Sequence, residues 1–143
     1  MAMENSNLLE EIYQATNMGL EATRMVIPKV HDEWLREDIE RQGENYKGMA
    51  TKAKEMLNHS GQLPKEEDPV KKAMLWGSIQ MSTLVNTKPR HIAEMMINGT
   101  TMGIVDITKK LNALDDADAG AKVLAQEYLA NEQKNIEDLK KHL

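Results

Sequence analysis

The residues best suited to chemistry lie near the end of the chain, in the stretch NEQKNIEDLKKHL at positions 131–143. The stretch has the periodicity of an amphipathic helix, yet Glu132 and Asn135 stand where its apolar stripe should continue. Gln42 and Asn45 form a second polar pair with the same spacing on an earlier stripe. A carboxylate and amides inside a bundle can ligate a metal ion, or they can fix the register between helices through hydrogen bonds.

The sequence leaves three interpretations of Glu132 and Asn135 open. They are metal ligands together with Gln42 and Asp106, or a buried polar network, or exposed residues at a wet end of a bundle. Because an unpaired buried carboxylate is costly, an interior Glu132 needs a partner. Four residues are candidates for that partner: Tyr46, Tyr128, Gln42 and Lys134. We predict no metal site from these residues.

Two further pairs have spacings that allow contact on a helix. Glu55 and His59 are four residues apart and could share a surface metal, although His59 is better placed to interact with the negative end of its helix. His91 and Glu94 are three apart, which favours local side-chain contact. Because no partner constellation surrounds His91, and no phosphate loop or nucleophile elbow is present, we predict no catalytic residue and no required cofactor.

The composition limits the classes of function. The 143 residues fit one domain, 1–143, with 41% apolar and 29% charged residues and a net charge of −5. The absence of cysteine excludes disulfides, zinc–thiolate sites and iron–sulfur clusters. The chain has no basic stripe or aromatic platform, no signal peptide and no long apolar stretch, so we expect a cytoplasmic protein with no nucleic-acid partner and no membrane insertion.

Apolar residues recur at steps of three and four along the whole chain, and no alternating strand pattern appears. This spacing predicts an all-α protein with helices at about 5–27, 32–59, 69–88, 90–114 and 118–142. Asn5 or Ser6, Asp32, Asp68 and Asp118 are the predicted caps of four of these helices. The third helix has an apolar stripe of five residues: Val70, Met74, Gly77, Met81 and Leu84.

The first and fourth helices contain similar sequences, ATNMGLEAT at 15–23 and TTMGIVDIT at 100–108. In both cases the next helix carries a polar pair with a three-residue spacing. This similarity predicts two helix hairpins, 5–59 and 90–142, joined by a crossover that contains helix 69–88. The crossover helix has no place in a four-helix count, so it packs across the bundle or against a second subunit.

This layout resembles the ferritin-like fold, an up-down bundle of two hairpins with polar residues projecting inward. The di-iron members of that family use a Glu from each of two helices and Glu-x-x-His from each of the other two. Here the last of these motifs falls on Glu132 and Asn135, so Asn replaces the His. The other falls on Gln42 and Asn45, with Glu44 adjacent.

No Glu-x-x-His occurs in the sequence, and Glu21, on the first helix, is displaced by about 100° from the apolar stripe. The four histidines lie at or near predicted helix ends: His31, His59, His91 and His142. The resemblance therefore implies the fold of a divergent member without the di-iron motifs, similar to small bacterial spore-coat-like proteins.

From these features we predict a small, non-enzymatic helical-bundle protein that acts in structure or protein interaction, as a homodimer or with another protein. Trp34 and Trp76 are its only tryptophans and are candidate anchors in a core or an interface. One alternative is a metal-binding protein of iron handling or oxidative defence, for which the resemblance implies an atypical ligand set for iron or manganese: Gln42, Asp106, Glu132 and Asn135. The other is a spore-coat-like or stress-associated component.

Overall fold

The protein is described here from a computed structural model that covers residues 2–65, 67–113 and 119–143, with side chains from residue 8 onward. Within these ranges every regular element is a helix, as the sequence predicts. The elements in chain order are α1 (Ala2–Val26), a 3₁₀ turn (Ile27–Lys29), α2 (Glu33–His59), α3 (Pro69–Leu84), α4 (Pro89–Ala113) and α5 (Ala119–Lys140).

Local capping explains several of these boundaries. The side chain of Asp32 accepts a 2.9 Å hydrogen bond from the backbone N–H of Leu35, and Asp68 caps α3 in a similar way. Gly61 adopts a φ of 75° after the end of α2, and the N–H of Gln62 bonds to the carbonyl of Leu57. This is a Schellman motif, in which glycine supplies the left-handed conformation that closes the helix.

The ends of three helices differ from the prediction. Helix α1 begins at Ala2, so neither Asn5 nor Ser6 is its cap, because Ala and Met before them favour continued helix. Helix α3 ends at Leu84 instead of 88, since Asn86 bonds to the N–H of Lys88 in a tight turn. After Lys140 the last N–H groups bond three residues back, so α5 closes in a 3₁₀ turn before 142. Asp118 and Leu114 lie outside the described residues.

The long helices form two antiparallel hairpins, α1 with α2 and α4 with α5. Helix α2 also packs on α5, and α1 contacts α4 and α5, which closes a four-helix bundle. Its interior contains two apolar clusters. One is centred on Ile12, Leu57 and Tyr128, and the other on Val30, Ile39 and Leu139.

Helix α3 packs on the bundle with only a narrow face. Ile79 is buried in the second apolar cluster, and Ser82 is bonded to His91 on α4. The stripe predicted from the sequence is on the other side of the helix and faces solvent: Val70, Met74, Met81 and Leu84 are 65–82% exposed. At 100° per residue this stripe is centred about 180° from Ile79. Periodicity correctly predicted the stripe, but it does not specify what the stripe contacts.

No helix in the described part of the chain is long and apolar enough to cross a membrane.

Candidate functional site

Glu132 is the centre of a buried polar cluster. It is 2% exposed, and its carboxylate accepts hydrogen bonds from the Tyr46 hydroxyl at 2.6 Å and the Asn135 amide at 3.0 Å. Its second oxygen accepts a longer bond, 3.3 Å, from the Tyr128 hydroxyl. The cluster joins α2 to α5. Both tyrosines were among the partners predicted for an interior Glu132, and the interpretation of Glu132 and Asn135 as exposed residues at a wet end is wrong.

Burial controls the protonation of this cluster. Loss of hydration raises the pKa of Glu132, and the hydrogen bonds from its three neighbours offset part of that rise. Burial, followed by the charge of Glu132, also raises the pKa of Tyr46 and of Tyr128. The two phenols therefore keep their protons and act as hydrogen-bond donors to the carboxylate.

Two helical glycines make room for the tyrosine rings. A Cβ atom at Gly19 on α1 would lie 2.7 Å from the Tyr46 ring, and a Cβ atom at Gly103 on α4 would lie 2.5 Å from the Tyr128 hydroxyl oxygen. Each hairpin thus places a glycine against a tyrosine of the following helix. Both similar stretches, 15–23 and 100–108, contain Met-Gly, and the glycine of each makes this contact, although the two Met-Gly pairs are one position out of register in the stretches as compared.

The glycine–tyrosine match also corrects the pairing of the polar residues. Gln42 lies four residues before Tyr46, and the residue four before Tyr128 is Leu124. Glu132 lies four residues after Tyr128. Gln42 and Glu132 therefore occupy different levels of their hairpins, and the matching three-residue spacing of the two polar pairs does not reflect the symmetry of the fold.

The predicted residues divide into those that face the interior and those that do not. Gln42, Glu132 and Asn135 are buried, whereas Asn45 and Asp106 are exposed. Asn45 is rotated by about 60° from Gln42, away from the buried side of α2, and Asp106 by about 100° from the buried Ile107. The structure does not place Asp106 in the interior with the other three, although its charge contributes to the raised pKa of Tyr128.

A second cluster, near the end of the bundle, was missed by sequence reasoning. The Nε2 atom of His142 donates a 2.6 Å hydrogen bond to Asp38, which also pairs with Arg41. The His142 ring packs on Trp34 with ring centroids 4.2 Å apart. Burial acts to raise the pKa of Asp38, but hydrogen bonds from His142 and Arg41 lower it overall. The available signal was the position of Asp38, on the apolar stripe between Leu35 and Gln42.

The remaining histidines lie at helix ends, as predicted. His91 bonds through Nε2 to both the hydroxyl and the backbone carbonyl of Ser82, at 2.8 and 2.9 Å. Because a carbonyl only accepts, Nε2 carries the proton, and His91 caps one of the last carbonyls of α3. His59 is the last residue of α2, and His31 precedes that helix.

Comparison with known proteins identifies the architecture. No family model matches the sequence, and no curated protein matches it. Among solved structures, a mutant of Dps1 from Mycobacterium smegmatis aligns with 99% of this chain and 96% of its own, with a TM-score of 0.82 and 18% sequence identity. The chain has the ferritin-like fold. At this identity the likeness establishes the fold alone.

The interior of this ferritin-like bundle does not fit a pair of bridged iron ions. Such a pair needs several carboxylates and imidazoles for charge balance and bridging. Glu132 is one carboxylate, and it already accepts three hydrogen bonds from neutral groups. Among the described residues, no three His, Cys, Asp or Glu side chains come together in a group that could hold a metal ion.

Proposed function

We propose that this protein is a non-enzymatic helical-bundle subunit that acts by associating with a second copy of itself through α3. The observation that carries the proposal is the exposed stripe Val70, Met74, Gly77, Met81 and Leu84, called the α3 stripe below. A continuous apolar surface of this kind is typical of an interaction site. Met is also frequent on surfaces that adapt to a partner.

The spacing of the α3 stripe suits a two-fold axis. Counted from Gly77, its members lie at −7, −3, 0, +4 and +7. In an antiparallel pair of α3 helices, Val70 of each copy would therefore lie near Leu84 of the other, and Met74 near Met81. A self-complementary patch of this type is what a two-fold interface requires. Gly77 lies at the crossing point, and a Cβ atom there would meet nothing within 4 Å.

Charge favours the antiparallel arrangement over the parallel one. Helix α3 contains Lys71 and Lys72 in its first turn and no acidic residue. An antiparallel partner brings these lysines toward the negative end of the other helix, whereas a parallel partner would bring the four lysines together.

Charge reversal in the α3 stripe tests this proposal. We expect Met81→Glu to convert the dimer to a monomer in sedimentation equilibrium, because two buried carboxylates would face the apolar residues of the partner copy. Met102→Glu on α4 is the matched control, since Met102 is similarly exposed (68%) but lies outside the stripe. A wild-type protein that stays monomeric at high concentration would contradict the proposal, as would equal effects of the two variants.

A metal-binding protein of iron handling or oxidative defence is the second candidate, favoured by the contact of Glu132 with Asn135. The ligand set Gln42, Asp106, Glu132 and Asn135 has only two acids, one of them exposed, so we rank this function below self-association. The cytoplasmic location and the spore-coat-like or stress-associated role remain predictions from the sequence.

A further inference from the structure

Gln42 is a buried polar residue whose side chain has no hydrogen-bond partner among the described residues. It is 1% exposed, and within the part of the chain that the structure describes neither its Oε1 nor its Nε2 atom makes a hydrogen bond. Buried amides are nearly always bonded, because an unbonded donor or acceptor loses its hydration without compensation. The interior therefore contains an amide that requires both a donor and an acceptor.

The position of Gln42 follows from its neighbours on α2. Asp38, Gln42 and Tyr46 are spaced four residues apart and lie on one face of the helix. Asp38 bonds to His142 on α5, and Tyr46 bonds to Glu132 on the same helix. Gln42 therefore occupies the level of α2 between these two contacts.

Helix α1 brings another polar group to this level. Gly43 follows Gln42, and a Cβ atom at Gly43 would lie 2.9 Å from the Thr23 hydroxyl oxygen. Thr23 is itself buried and donates its proton to the carbonyl of Leu20 at 2.7 Å. Its oxygen keeps lone pairs that can accept a hydrogen bond.

We propose that Gln42 binds a buried water molecule between α1, α2 and α5. The chemistry of the amide selects this ligand. Oε1 needs a donor and Nε2–H needs an acceptor, and water is both. A metal ion would satisfy Oε1 but would face the positive end of the Nε2–H bonds, and an anion would have the opposite conflict. Water in polar interiors makes about three hydrogen bonds, which Gln42 and Thr23 can supply in part.

The bound water satisfies the Gln42 amide at the level between the Asp38–His142 pair and the Tyr46–Glu132 bond.

Water-to-amide NMR on the full-length protein tests the site directly. We expect the Gln42 side-chain amide hydrogens to show cross-peaks with water that have opposite signs in NOESY and ROESY spectra, as direct contact with a long-lived water produces. The Asn135 amide serves as the internal control, because it donates to Glu132 and Tyr46. An assigned Gln42 amide without such cross-peaks, or one bonded directly to a neighbouring side chain, would overturn the proposal.

Gln42→Met supplies an independent test, because Met has a similar length but no polar atom. If water bonds the amide, the substitution removes satisfied hydrogen bonds, and the urea midpoint should stay the same or fall. If the site is dry, the substitution removes an uncompensated polar group, and the midpoint should rise. A raised midpoint would therefore refute the water site.

Discussion

The hydroxyl of Tyr46 on α2 donates a 2.6 Å hydrogen bond to the carboxylate of Glu132 on α5, 86 positions later in the chain. This bond links the two hairpins inside the bundle, beside the first apolar cluster, to which Tyr46 belongs. α5 can carry Glu132 on its buried side because the Tyr46 hydroxyl hydrogen-bonds to the carboxylate there. Polar contacts of this kind are specific in geometry, so they fix one register between α2 and α5.

Removal of the phenol should destabilise the fold. Tyr46→Phe leaves the ring in place but deprives Glu132 of its shortest hydrogen bond, so we expect a loss of about 1–3 kcal/mol in the free energy of unfolding. Tyr128→Phe is the matched control. Because the Tyr128 bond to Glu132 is longer, 3.3 Å, this substitution should lower the free energy of unfolding by less. Urea unfolding of both variants at neutral pH measures the difference, and equal losses would show that Tyr46 has no special role.

The raised pKa of Glu132 predicts a pH-dependent effect of its substitution. Because the folded pKa lies above the ordinary value of about 4.3, folding favours the protonated form. The contribution of Glu132 to stability is complete below that value and is lost as the pH rises through the folded pKa. We therefore expect Glu132→Gln to gain stability relative to wild type as the pH rises from about 4 to 7, measured by urea unfolding across that range.

Asp38→Asn is the control for this measurement, since the pKa of Asp38 is lowered. The contribution of Asp38 to stability is present at pH values above the ordinary pKa of Asp, and it is lost as the pH falls through the pKa of Asp38 in the folded protein. The difference in unfolding free energy between wild type and Asp38→Asn should therefore stay nearly constant from about pH 4 to 7 and shrink only below about pH 4. Glu132→Gln, by contrast, should gain on wild type within that range. A Glu132→Gln difference that does not change with pH would contradict the raised pKa of Glu132, and an Asp38→Asn difference that does not shrink below about pH 4 would contradict the lowered pKa of Asp38.

The close approach of Gly19 to Tyr46 predicts that alanine at position 19 destabilises the fold. A Cβ atom at position 19 would lie 2.7 Å from the buried Tyr46 ring. Gly19→Ala should therefore lower the free energy of unfolding by roughly 1–3 kcal/mol, despite the higher helix propensity of alanine. Gly48→Ala on α2 meets open space and should stabilise by about 1 kcal/mol. Thermal unfolding distinguishes the two, and a stabilised Gly19→Ala would show that the ring can shift.

The sequence was sufficient to predict the helices and their pairing into hairpins. It was not sufficient to predict what each face of a helix contacts. Apolar residues at steps of three and four positions predict helices, and Asp32 and Gly61 mark the two ends of α2 through local chemistry. The exposure of the α3 stripe could not be predicted, because one helix period is compatible with burial against the bundle or against another chain. The Asp38–His142 pair could not be predicted either, since its members are 104 positions apart and only the register of α2 on α5 brings them together.

Metal analysis gives the sharpest test between the two candidate functions. Protein purified without chelator and equilibrated anaerobically with Fe(II) and Mn(II) should hold neither metal near stoichiometry, because the carboxylate of Glu132 is occupied by three neutral donors. Glu132→Gln, which keeps the side-chain shape, should give the same elemental content as wild type. Near-stoichiometric metal that disappears in Glu132→Gln would reverse the ranking, because the cluster would then be a ligand set whose hydrogen bonds yield to the ion.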